Sequence, residues 1–253
     1  MENTEISWTD NTFCPWHGCT RVSPGCVNCY AATFSRRLGR DLWGKGVPRK
    51  RQSENVWSQP LKWNAKAIKQ GVRPRVFVAS MADVFDEEVP PAWRDDLWNL
   101  IRQCTALDWQ LLTKRPQNIL GMLPPDWGDG WAHVSMGTTV EDQTRANERI
   151  PLLRAVPAKV RFLSCEPLLG VIGLDLDGIH WVIAGGESGA GYRPMKPLWA
   201  QWVRDQCIDQ GVPFHFKQWG TRDKKAAGRL LDGRTWDEFP AASMMGSFTR
   251  INA

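Results

Sequence analysis

Residues 76–116 read VFVASMADVFDEEVPPAWRDDLWNLIRQCTALDWQLLTKRP and contain one complete strand, helix and strand in succession. The apolar run 76–80 predicts a strand. Pro91 then opens a helix in which Trp93, Leu97, Leu100, Ile101 and Cys104 recur at helical spacing, and a second apolar strand follows at 110–114. Mostly apolar strands alternating with an amphipathic helix argue for a parallel β/α arrangement.

Outward from this unit the rhythm repeats. Strands are predicted at 133–138, 160–165, 181–185 and 213–218, with helices over about 141–153 and 197–210, the last ended by Gly211. A further strand is predicted at 5–8, which makes about seven. The fold class is therefore α/β: a single-domain parallel (β/α) barrel, complete or partial and TIM-barrel-like. An open doubly wound sheet is the alternative, but no glycine-rich fingerprint follows the first strand. The barrel is expected to occupy 1–220. In the remainder, 221–253, Asp232-Gly233 between Leu230-Leu231 and Thr235-Trp236 predicts a hairpin with a type I′ turn, packed on the barrel as a tail.

A length of 253 residues with 42% hydrophobic content suits one such domain. No stretch approaches the ~18 uninterrupted apolar residues of a spanning helix, and the polar, acidic start MENTEISWTD is unlike a signal peptide. A cytoplasmic protein with no membrane partner is expected. The net charge of +5 is unevenly placed: twelve Lys or Arg lie between Arg36 and Arg75 against only Asp41 and Glu54. With Trp43, Trp57 and Trp63 interleaved, this segment suits phosphate contacts and base stacking, although a solvated surface gives the same pattern.

In β/α barrels chemistry gathers at the C-terminal ends of the strands. Here those ends carry Ser80, Asp83, Thr113, Lys114, Arg115, Ser135, Glu166, Glu187, Ser188, Lys217 and Gln218. Helix caps and turns account for Ser80, Asp83, Ser135 and Ser188 taken singly. Glu166 and Glu187 weigh more, because a carboxylate at a strand terminus binds an ammonium group or a ribose hydroxyl. Gly185-Gly186 beside Glu187 admits a ligand close to the backbone. Lys114, Arg115 and Lys217 suit a carboxylate or phosphate in the same mouth, or else pair with Asp or Glu.

The stretch TFCPWHGCTRVSPGCVNCYA at 12–31 holds Cys14, Cys19, Cys26 and Cys29, four of the seven cysteines within sixteen residues, on the loop after the first strand. Soft thiolates so grouped select zinc or an iron-sulfur cluster. Cys26 and Cys29 have zinc-knuckle spacing, but the other pair is C-x4-C. Three thiolates on a cluster would instead leave one iron open. Cys104, Cys165 and Cys207 fall in helix and strand patterns and are expected to be buried.

The segments WTDNTF, GCTRVSPGCVNCYA, VFVASMADVFDEEVP, LLTKRPQ, FLSCEPLLG, WVIAGGESG and VPFHFKQWG resemble, in order, those of a phage-associated three-Cys-motif family. That family is grouped with radical S-adenosylmethionine (radical SAM) proteins and is distantly similar to spore photoproduct lyase, a DNA repair enzyme. The resemblance implies a [4Fe-4S] cluster on Cys19, Cys26 and Cys29, with Cys14 a neighbour, although C-x6-C-x2-C departs from the usual C-x3-C-x2-C. It implies that S-adenosyl-L-methionine chelates the open iron and is cleaved by an electron from an external donor to a 5′-deoxyadenosyl radical.

On the same resemblance the candidates for the cofactor site are Tyr30, Ser80, Asp83, Glu166, Gly185, Gly186 and Glu187, and the strand-end residues Lys114, Arg115, Lys217 and Gln218 are the candidates for binding substrate. Glu166, Glu187 and Lys217 are the candidates for a catalytic part. The implied substrate is a nucleobase in DNA, for repair or hypermodification. Two other readings stand beside it: a radical enzyme for a small molecule or peptide, and a non-catalytic, zinc-stabilised nucleic-acid-binding phage protein in which all four clustered cysteines are ligands.

Overall fold

Along the sheet strands, alternate residues enter two different cores, which is why those strands read as nearly continuous apolar runs. Val76, Val78, Trp109, Leu111, Val134, Met136, Leu163, Cys165, Val182, Ala184, Phe214 and Phe216 face outward and pack with helix residues such as Leu97, Ile150 and Val203. Phe77, Phe162, Trp181 and Ile183 face inward and gather with Trp8. The computed structural model from which this is seen describes residues 1–222 and 227–241.

The strands are β1 (Asn11–Phe13), β2 (Arg75–Val78), β3 (Asp108–Thr113), β4 (Val134–Thr139), β5 (Val160–Cys165), β6 (Trp181–Gly185) and β7 (Phe214–Gln218). They stand in sequence order in one seven-stranded sheet, every neighbouring pair parallel, and the sheet curls into a half-barrel. The principal helices are α1 (Tyr30–Arg37), α2 (Gln59–Gln70), α3 (Pro91–Gln103), α4 (Gln143–Arg154) and α5 (Pro197–Asp209). Among the described residues no helix is long and apolar enough to cross a membrane.

Two expectations are corrected. The first strand is not at 5–8 but at Asn11–Phe13, where Thr12 pairs with Phe77. Ile6 and Trp8 alternate like strand residues because both are apolar, yet they plug the floor of the half-barrel, with the Trp8 ring 4.7 Å from Phe77. Helix and strand also fail to alternate once. The crossover 166–180 contains no helix, because Gly170, Gly173 and Gly178 interrupt it, and it buries Leu168, Ile172, Leu174, Leu176 and Ile179 as an irregular apolar strap.

The floor is tight. Any Cβ at Gly137 in β4 would lie 2.4 Å from the Phe162 ring, so only glycine fits beneath that aromatic. At the far edge, Asp232 and Gly233 both have positive φ, 52° and 79°, and Leu231 N donates to Arg234 O at 3.0 Å, the geometry of a type I′ turn. The chain then runs antiparallel beside β7, where Phe216 N donates to Trp236 O at 2.9 Å, and so covers that edge. Residues 223–226 and 242–253 of the expected tail lie outside the described residues.

His215 points inward from β7, fully buried, its Nε2 2.8 Å from Ser7 Oγ. Burial, and then Arg229, hold its imidazole down at about 3, against the opposing pull of Asp237. The folded chain thus keeps it neutral where the unfolded chain takes a proton near ~6.5. Its contribution is complete above that pH and is lost as pH falls from ~6.5 toward the folded value, by up to about 1.4 kcal/mol per pH unit. Denaturant titrations at pH 7, 6 and 5 are expected to show His215→Gln with a shallower loss of stability than the parent. Equal slopes would contradict the assignment.

Candidate functional site

The cysteine loop leaves β1 at Cys14 and crosses the C-terminal mouth of the half-barrel. Its turn at Gly18 has φ +111°, and a Cβ there would lie 2.6 Å from Leu42 O, so glycine is required. A single-turn helix, Pro24–Cys26, follows, and Cys29 stands at the N-terminal cap of α1. Four groups from neighbouring strand ends tie this loop down.

From β3, Arg115 is almost wholly buried. It donates to Thr20 O at 2.8 Å, to Asp83 Oδ2 at 3.1 Å and to Cys19 Sγ at 3.5 Å. Asp83 in turn accepts from Thr113 Oγ1 at 2.7 Å and from the Lys114 and Phe85 amides. Burial, followed by the Asp83 charge, pushes the Cys19 thiol up to about 12, with Arg115 opposing. Cys19 therefore keeps its proton at neutral pH.

From the end of β4, buried Glu141 accepts from the Gly25 amide at 3.2 Å and from Arg149 at 2.8 Å. Burial pushes its carboxyl up, but Arg149, the Ser23 hydroxyl and Lys114 together hold it below the ordinary range. Gly25 sits so close that a Cβ would be 3.1 Å from that carboxylate. From the end of β6, Glu187 accepts from Asn28 at 2.9 Å and from Arg193, which also donates to Pro24 O at 3.0 Å. Burial raises the Glu187 carboxyl, and the Arg193 and Asn28 bonds outweigh it, so the group stays ionised.

The fourth tie lies at the end of β2. Ala79 is held at φ 62°, a costly conformation for a residue with a side chain, with its amide on Phe13 O at 2.7 Å. The next residue, Ser80, accepts from Tyr30 Oη through its carbonyl at 2.6 Å and bonds Cys14 Sγ through its hydroxyl at 2.9 Å. Burial, followed by Cys14, raises the Tyr30 phenol, which stays protonated and donating.

Inside the mouth, Lys217 donates to Glu166 Oε2 at 2.9 Å. Glu166 Oε1 and the Ser164 hydroxyl are buried with no partner among the described residues. Ser164 alternates with outward-facing Leu163 and Cys165, so it points inward below Glu166. Gly185 is where β6 slips register against β7, and a Cβ on it would meet Glu166 Oε1 at 3.3 Å. What approaches Gly186 closely is the chain itself: a Cβ there would be 2.2 Å from Gly220 N. Lys114 Nζ reaches Thr139 Oγ1 at 3.3 Å, and Gln218 reaches Gly186 O at 3.4 Å.

The predicted residues therefore form two groups at one mouth. Cys14, Cys19, Tyr30, Ser80, Asp83 and Arg115 surround the cysteine loop, whereas Lys114, Glu166, Gly185 and Lys217 line the interior. Glu187 is turned toward the loop. Glu141, Asn28, Arg193 and Ser164 were not singled out from sequence. Glu141 reads there as the entry to a helix, and Asp142 beside it is indeed the cap of α4, accepting from Arg145 N.

The basic segment is corrected in part. Arg49 is buried on Asp86 at 2.7 Å, Arg73 on Asp108 at 2.9 Å, and Arg75 and Lys66 pair with Asp10 and Glu2. Trp57 and Trp63 are core residues, unavailable for stacking on a base. Arg36, Arg37, Arg40 and Lys45 remain exposed.

Among the described residues no three His, Cys, Asp or Glu side chains converge on one metal-ion position. Cys19, Cys26 and Cys29 lie on one pinned loop, Arg115 offers an N–H to one sulfur, and Cys14 is bonded to Ser80.

Two solved structures of spore photoproduct lyase share the fold. One, complexed with dinucleoside spore photoproduct, is 12% identical with a TM-score of 0.50, covering 74% of this chain and 58% of that one. The other, a double mutant with bound AdoMet and dinucleoside spore photoproduct, is 14% identical with a TM-score of 0.50, covering 84% and 63%. The chain thus spans about three fifths of the length of those proteins. No curated protein matches the sequence. The model of one family, described as "Protein of unknown function (DUF5131)", matches residues 3–240, and the chain belongs to that family.

Proposed function

We propose that this chain is a radical SAM enzyme that holds a [4Fe-4S] cluster on Cys19, Cys26 and Cys29, binds S-adenosyl-L-methionine beside it, and acts on a nucleobase in DNA. The observation that carries the reading is the placement of these three cysteines on a loop pinned across the mouth of a parallel half-barrel, with Arg115 N–H 3.5 Å from Cys19 Sγ. The likeness in fold to spore photoproduct lyase structures supports it, one of them holding AdoMet and both a dinucleoside. Together the bound groups would supply one-electron chemistry able to take a hydrogen atom from a substrate carbon.

The protein's own residues supply position and dryness. Trp8, Phe77, Phe162 and Trp181 close the floor against water. Above them, Glu166 Oε1 and Ser164 Oγ are buried without partners among the described residues, which suits the N–H groups on the edge of a base. Lys217 holds the other Glu166 oxygen, which orients the carboxylate. Tyr30 and Ser80 fix the start of α1 against the end of β2, beside the cysteines.

The test is anaerobic turnover of the reconstituted, reduced protein with S-adenosylmethionine. A DNA oligonucleotide is expected to raise the yield of 5′-deoxyadenosine severalfold above the substrate-free background. Stimulation by peptides or free small molecules, with none from DNA, would move the enzyme to another substrate class.

A further inference from the structure

Helix α1 is built with its small residues inward and its large ones outward. Ala31, Ala32 and Ser35 are buried against the body, while Phe34 and Leu38, spaced four apart, are both 51% exposed. Val22 and Val27, on the loop leading into the helix, are exposed as well. An ordinary surface helix shows the reverse, and large apolar side chains held out together mark a contact surface.

The charge around this stripe indicates what would cover it. Residues 21–45 hold five cations, Arg21, Arg36, Arg37, Arg40 and Lys45, against one acid, Asp41. All five cations are exposed, and none forms an ion pair with an acid among the described residues. The surface adjoins the mouth, since α1 starts directly after Cys29 and Tyr30 Oη reaches Ser80 O at 2.6 Å. An apolar stripe that carries the Phe34 ring and is rimmed with exposed arginines matches a polyanion that also offers flat apolar rings.

We propose that the outward face of α1 binds a nucleic-acid strand, with Arg36, Arg37 and Arg40 on its phosphates and Phe34 stacked on an unpaired base beside the mouth. This rests on the nucleobase reading above and assigns the surface that delivers the strand. The residues involved are exposed and lie outside the groups that pin the cysteine loop, so their replacement leaves folding and metal content unchanged.

The test measures binding of the full-length protein to a labelled single-stranded DNA oligonucleotide, and to a duplex of the same length, by anisotropy over a range of salt. Neutralising Arg36, Arg37 and Arg40 together to Gln is expected to reduce the slope of log K against log salt for the single strand by about 2, each phosphate contact contributing ~0.7. Phe34→Ala is expected to weaken binding about tenfold at every salt concentration with the slope unchanged. Parent-like affinity and slope in both variants, with the parent binding DNA, would overturn the α1 surface alone. Failure of the parent to bind either DNA would overturn this surface together with the nucleic-acid reading.

Discussion

Arg115→Met is expected to destabilise the protein by about 3 kcal/mol, the lower end of the range for removing one partner of a buried ion pair. The guanidinium is 1% exposed and faces Asp83 at 7% and Asp86 at 0%. Without it these carboxylates sit in low dielectric with one cation fewer. The loss is limited because Asp86 keeps Arg49 at 2.7 Å and Asp83 keeps Thr113 at 2.7 Å. The same substitution frees Thr20 O and removes the donor to Cys19 Sγ, so the first cysteine of the triad loses its fixed position. Urea denaturation measures the first effect, and iron retained after reconstitution measures the second. Arg115→Lys keeps the charge but not the fork that spans Thr20 O and Asp83 together, so it is expected to fall between the two. A Met variant as stable as the parent, with full iron content, would show that Arg115 does not hold the loop.

Cys26→Ala is expected to abolish cluster binding, leaving a colourless protein with iron at background after reconstitution, whereas Cys14→Ala keeps its colour and most of its iron. The contrast follows from the proposed ligand set. Cys14 leaves β1 directly and lies against Ser80, whereas Cys26 ends the short turn that Glu141 and Arg193 clamp through Gly25 and Pro24. A structural zinc site built from all four thiols makes the opposite prediction, with Cys14→Ala as damaging as Cys29→Ala. Iron and zinc analysis of the two variants side by side decides between them.

Much of the fold was legible because the sheet is buried on both faces, which leaves long apolar runs such as VRFLSC at β5 and WVIAG at β6 bounded by breakers. The first strand was misplaced for the same reason. Ile6 and Trp8 are as apolar as strand residues, and only their packing under Phe77 and Trp181 shows them to be a plug. The strap at 166–180 carries no periodic signal, since its order comes from burial and not from a backbone pattern.

Position at the strand ends was legible and pairing was not. Strand ends could be counted, so Asp83, Arg115, Glu166, Glu187 and Lys217 could be placed at the mouth. Their partners lie at distances that local pattern does not encode: Arg115 to Cys19 spans 96 residues and Asn28 to Glu187 spans 159. The basic segment misled similarly. Its charges are visible in sequence, but the burial of Arg49 on Asp86, 37 residues on, is not.

The central claim is an open iron on a three-cysteine cluster. It is tested most directly by reconstituting the anaerobic protein with iron and sulfide, reducing it, and recording electron paramagnetic resonance with and without S-adenosylmethionine. We predict a reduced four-iron signal that changes when S-adenosylmethionine is added. A protein that takes up zinc alone, with no cluster after reconstitution, would contradict the account and leave a structural metal site on a half-barrel.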